Sequence, residues 1–219
     1  MRVAARLIAY GLLICALFGG LLAMQAYLPG GLRMNVASSL APTLGTSEYS
    51  VVEWLQLFLL MVALSAALRA NALQVRQMPL GRLLGALAVA AIIRELDLFL
   101  DRYLFDQAWQ IFVALLIVVL LTYEVRHRRQ LVSSIDRAMP SVGLTLIIVG
   151  IVIVVVIASV IGTESLWRSL LNEQYTRVAK LAAEELVELL GYALWAVGSL
   201  EYLQETAVMN ALAPSEDTR

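Results

Sequence analysis

Acidic side chains interrupt otherwise apolar sequence at three places: Glu53, the run Arg94-Glu95-Leu96-Asp97 with Asp101, and the triplet Glu184, Glu185 and Glu188. An ionisable group near the centre of a membrane-spanning helix costs roughly 2.5 kcal/mol or more, so such groups turn toward a protein interior or water and usually have a task there. Carboxylates brought close together repel, so they must share protons or hold a cation. One nearby arginine, Arg94, cannot neutralise all seven and is expected to tune their charge. Oxygen-only ligands suit hard ions such as Ca²⁺, Mg²⁺, Mn²⁺ or Na⁺, and Glu95, Asp97, Glu184 and Glu188 are the candidate metal ligands. Zinc recruits imidazole or thiolate, and the chain has a single histidine, His127, and a single cysteine, Cys15.

The segments around these acids decide where they lie. Apolar residues make up 61% of the chain and charged residues 15%, with a mean hydropathy of +0.81, the profile of a polytopic membrane protein. A formal net charge of -1 leaves no basic excess to recruit nucleic acid. Six segments, near 7–28, 51–70, 82–100, 107–123, 142–162 and 182–203, approach the ~20 apolar residues needed to cross an apolar layer of about 30 Å. They predict an all-α bundle of six transmembrane helices, with 1–212 as one transmembrane domain and 213–219 as a short disordered cytoplasmic tail. The first segment follows Arg2 and Arg6 like a signal peptide, but its apolar stretch from Leu7 to Met24 outruns an h-region of about 7–15 residues. It is expected to stay as a helix.

Orientation follows from basic residues in short connections. With a cytoplasmic N-terminus, the inner segments hold Arg2, Arg6, Arg69, Arg76, Arg82, Arg126, Arg128, Arg129, Arg137 and Arg219, against Arg33, Arg102, Arg168, Arg177 and Lys180 outside. Both termini are then cytoplasmic in a cell-membrane protein. In this topology all seven acids fall at one level in the outer part of the bundle.

Helical geometry groups them further. Residues at about 100° intervals place Arg94, Glu95, Asp97, Asp101 and Arg102 within an arc of about 160° on the third helix. On the sixth, Glu184, Glu185, Glu188, Gly191, Tyr192, Trp195 and Ser199 cover about 120°. Glu53 and Gln56 lie one turn apart on the second. Gln56, Gly191, Tyr192 and Trp195 are therefore candidate pocket-lining residues beside the acids, with Gly191 permitting close helix approach. Glu201 lies on a different arc and is expected to be silent when replaced.

Two connections stand out. Residues 29–49, rich in Gly, Pro, Ser and Thr, read as an outer loop. Residues 164–181 repeat apolar positions at helical spacing amid Arg168, Glu173 and Arg177, predicting an outer amphipathic segment that leads into a last helix of more than 30 residues beginning near Asn172. No phosphate-binding glycine loop, His-Glu-x-x-His or Gly-x-Ser-x-Gly is present. His127 reads as a solvated flank, and Arg126, Arg128 and Arg129 as contacts for anionic headgroups.

These features predict a small transporter or channel whose carboxylates bind or conduct a cation or proton. The alternatives are a metal-assisted membrane enzyme acting on lipid or a lipid-linked substrate, and a non-catalytic subunit of a membrane complex. The bilayer is the surrounding partner, with a second copy or a membrane-complex protein as a further one.

Overall fold

The computed structural model describes residues 3–28, 50–73, 79–138, 141–175 and 177–212. Every element among them is helical: α1 (Val3–Tyr27), α2 (Val51–Leu73), α3 (Pro79–Glu95), α4 (Asp97–Tyr103), α5 (Ala108–Arg126), α6 (Arg128–Ala138), α7 (Val142–Val152), a π-helical turn (Ile153–Ala158), α8 (Ser159–Ile161), α9 (Glu164–Leu171) and α10 (Arg177–Leu212). Among the described residues, five stretches are long and apolar enough to cross a membrane: Val3–Tyr27, Val51–Leu73, Ala108–Arg126, Val142–Ile161 and Ala179–Leu212. The expected outer loop at 29–49 and the tail at 213–219 lie outside the described residues.

The third expected span, 82–100, is divided. α3 has 17 residues, or ~25 Å at about 1.5 Å per residue, short of the ~30 Å apolar layer. Leu96, with φ -97° and ψ 14°, separates it from α4. Asp97 opens α4, and its Oδ1 accepts from the Leu98 N–H at 2.6 Å, satisfying one of the donors that a helix start leaves unpaired. The expected 160° arc assumed one unbroken helix from Arg94 to Arg102, and that assumption fails at Leu96.

The connection before the last helix is also divided. α9 ends at Asn172, whose φ of 48° is a left-handed value that asparagine tolerates better than most residues. A 3₁₀ turn, Asn172–Gln174, follows. The segment 164–181 is thus not one amphipathic helix. α10 nevertheless runs unbroken for 36 residues, exceeding the expected 30, and starts at Arg177 rather than Asn172.

Chain contacts divide the molecule into two compact units, Met1–Gln56 with Val152–Ala193, and Leu57–Ile151 with Leu194–Arg219. In the second unit α7 crosses α10 at two glycines. A Cβ at Gly143 would strike the Tyr202 backbone nitrogen and lie 2.8 Å from the Gly198 carbonyl oxygen; one at Gly198 would lie 2.8 Å from the Ile147 nitrogen and 2.9 Å from the Gly143 oxygen. Small residues let helix backbones approach in this way, and dispersion then holds them together in an apolar solvent. The crossing is fixed at its end by Glu205 on α10. Its carboxylate accepts from Ser141 Oγ and, at 3.1 Å, from the Val142 N–H, satisfying one of the free N–H groups at the α7 start.

Backbone atoms cannot yield to a methyl group as a side-chain tip can. Gly143→Ala and Gly198→Ala should each lower stability by about 1–3 kcal/mol, the usual range for forced overpacking. Gly85→Ala, whose new Cβ would meet only Leu64 and Leu68 side-chain atoms at 3.8 Å, should leave the unfolding midpoint unchanged or slightly raised. Thermal unfolding in one detergent checks the contrast.

Candidate functional site

In the first unit the start of α2 meets the first half of α10. Ser50 and Glu53 form a reciprocal cap: the Glu53 N–H donates to Ser50 Oγ at 3.2 Å, and the Ser50 N–H donates to Glu53 Oε2 at 3.3 Å. This is a capping box, so the Glu53 carboxylate serves the helix start. One turn on, Gln56 is 1% exposed, and its Nε2 donates to the Glu185 backbone carbonyl at 3.1 Å. The candidate pocket-lining residue Gln56 and the candidate acid Glu185 therefore touch.

The α10 acids divide in their surroundings. Glu184 Oε2 lies 3.1 Å from Lys180 Nζ, one turn earlier, and the carboxylate packs against Gly162, where a Cβ would strike its Oε1. Absence of a side chain at 162 gives that carboxylate its seat. Glu185 is half-buried. Glu188, a turn deeper, is 7% exposed. Gly191 and Tyr192 behind it are buried, Tyr192 completely.

The remaining predicted acids belong to the second unit, and each has a local partner. Arg94 Nη1 lies 3.9 Å from Glu95 Oε1. Asp101 Oδ1 accepts from the Ala108 N–H at 3.0 Å, tying α4 to the start of α5. Asp97 lies on α4, outside the five candidate spans. Among the described residues, no three His, Cys, Asp or Glu side chains gather closely enough to hold a metal ion. Within the first unit the structure thus brings Gln56 to Glu185 and buries Glu188.

Several buried polar residues lie outside the predicted set. Glu201, expected to be silent, is 0% exposed and belongs to the core. Tyr202 and Thr206 are buried on α10 as well, continuing from the predicted Trp195 and from Ser199, which are also buried. At about 100° per residue, Glu188, Tyr192, Trp195, Ser199, Tyr202 and Thr206 fall within an arc of about 80°. Thr206 Oγ1 donates to the Tyr202 carbonyl at 2.8 Å, whereas Ser199 Oγ is buried with no partner. A run of residues three and four apart was visible as far as Ser199, and continuing the count to Thr206 reveals the rest. A second missed feature is the pair Arg82 and Glu124, which joins α3 to α5. His127 stacks on Tyr123, with ring centroids 4.4 Å apart, and its Nδ1 lies 2.9 Å from the Tyr123 carbonyl oxygen.

No protein-family model, curated protein or solved structure matches the chain.

The seat of Glu184 is directly testable, because the atom in the way at Gly162 is a mobile carboxylate. Gly162→Ala should displace it at a stability change under about 1 kcal/mol, the scale of one partly exposed ion pair. In a double-mutant cycle the effect of Glu184→Gln should shrink in the Gly162→Ala background. Equal effects in both backgrounds would show that Gly162 does not position Glu184.

Proposed function

We propose that the chain is a multi-pass membrane protein that conducts protons along the inward face of α10, with Glu188 as the exchanging carboxyl. The observation that carries this reading is the row from Glu188 through Tyr192, Trp195, Ser199 and Tyr202 to Thr206, every member buried. Eighteen steps from Glu188 to Thr206 at about 1.5 Å each extend ~27 Å, close to the apolar thickness of a bilayer. A carboxyl at one end and hydroxyls at helical spacing are groups that accept and pass a proton. Ser199, buried without a partner, is the member free to bond a transient neighbour.

Proton transfer is favoured over stable cation binding because it needs one exchanging carboxyl rather than a ligand shell. A metal-assisted lipid enzyme would need such a shell. In this reading α3 and α4 supply the sixth crossing, both termini are cytoplasmic, and Glu184 and Glu185 lie at the outer mouth beside Glu188. A second reading, a non-catalytic subunit, is favoured by α1, where Leu21 is the one buried residue and Ile8, Leu12, Leu13 and Leu22 are exposed apolar surface for lipid or a partner.

Proteoliposomes carrying a pH-sensitive dye and an imposed potassium diffusion potential separate the two. The proton reading predicts dye acidification faster than in empty vesicles, reduced at least tenfold by Glu188→Gln and unchanged by Glu173→Gln, an exposed site. Unchanged rates when sodium replaces choline in the buffer would identify the proton as the carried ion. Wild-type vesicles no faster than empty ones, with the protein folded, would favour the subunit reading.

A further inference from the structure

The charge pair of the second unit takes no part in the α10 row. Arg82, near the start of α3, points to Glu124 in the last turn of α5, with Nη2 3.8 Å from Oε1. That separation exceeds a hydrogen bond. Arg82 Nε and Nη2 and both Glu124 carboxylate oxygens are buried and unpartnered. The guanidinium is held 4.3 Å from the Tyr123 ring centroid. Glu124 is also at the negative end of its helix dipole, an unfavourable place for an acid. A buried pair is favourable only when further hydrogen bonds satisfy both charges, and here four atoms lack them.

The surroundings indicate what supplies those bonds. α3, α5 and α6 all contact one another, and only His127 separates α5 from α6. Arg126, Arg128 and Arg129 are exposed, while Leu131 and Ile135 on α6 are half-buried. A short helix with arginines on its open side, continuing directly from a candidate span, lies at headgroup depth. Exposed arginines alone would attract any anionic lipid. A buried carboxylate at the centre of the cluster changes the selection, because it repels a phosphate and accepts hydrogen bonds from an ammonium.

The geometry points to a binding site for the headgroup of an aminophospholipid at the α3–α5–α6 junction, with Arg82 taking the phosphate and Glu124 the primary ammonium. The Nε and Nη2 edge of a guanidinium offers two parallel donors matched to phosphate oxygens. Glu124 offers two acceptors to the N–H groups, which choline lacks. Entry runs through Arg82, whose side chain is 30% exposed against 7% for Glu124 and whose flexible stem can swing toward the lipid.

Lipids differing only at the amine test this. The purified protein in detergent is given dioleoyl phosphatidylethanolamine, its N-methyl and N,N-dimethyl derivatives, phosphatidylcholine or phosphatidylglycerol, and retained lipid is counted by native mass spectrometry. Retention should fall stepwise with methylation, by about tenfold from ethanolamine to choline, the scale of one charge-assisted hydrogen bond. Glu124→Gln should level the series, Glu124→Asp should keep its order, and Arg129→Gln should lower all members equally. Equal wild-type retention across the series, or tightest retention of phosphatidylglycerol, overturns the site and leaves a general basic surface; both outcomes are read on the wild type, whatever the variants' folding. A series unchanged in folded Glu124→Gln overturns the role of the carboxylate.

Discussion

A polar group inside a lipid-embedded bundle must find its partner within the protein, because the hydrocarbon layer offers none. α10 is the element on which that constraint falls most heavily. Its most apolar window is 67% buried, against 6% for α1 and 11% for α5, yet it carries Glu188, Ser199, Glu201, Glu205 and Thr206. The helix is therefore engaged at several points along its length. Gly198 admits the α7 backbone, Glu205 caps the α7 start, Asn210 Nδ2 donates to the Leu73 carbonyl at the end of α2, and the Glu185 carbonyl receives Gln56. The glycines at 143 and 198 allow this contact distance, and without it the polar groups between them would lose their packing shell.

The same constraint explains why the acids do not behave as one set. Glu53, Asp97, Asp101 and Glu205 accept from backbone N–H groups at or near helix starts, where an anion is favoured by both hydrogen bonding and the helix dipole. Glu184 is matched by Lys180. Glu188 and Glu201 are different in depth, lying in the buried half of α10, and Glu124 is different in having a cation near it but outside bonding distance. Depth and local partners, more than abundance, separate structural carboxylates from those available for chemistry.

Much of the helical architecture was legible because apolar runs of spanning length leave few alternatives, and α10 was legible from its long run of helix-forming residues. The break at Leu96 was not, since leucine is a good helix former and no glycine or proline marks the interruption. The role of Glu53 was written in Ser50-Val-Val-Glu53, an S-x-x-E spacing before an apolar run, but its charge was read as a depth signal. The Gln56–Glu185 contact was not legible as a pair, because helix faces give direction and not pairing. The burial of Glu201 was not legible either, because an arc names a helix face and not the neighbour that covers it. Arg82 and Glu124 were hidden because each lies near a helix end, where a charge is ordinarily solvated.

The central claim is that Glu188, although buried, exchanges its proton with water through the α10 row. Infrared difference spectroscopy of the reconstituted protein, recorded on exchange from H₂O to D₂O across a pH series, reads this most directly in the carboxyl C=O region. The account predicts a pH-dependent, deuterium-shifted carboxyl band that is absent in Glu188→Gln and exchanges more slowly in Ser199→Ala. A spectrum identical in wild type and Glu188→Gln would contradict it.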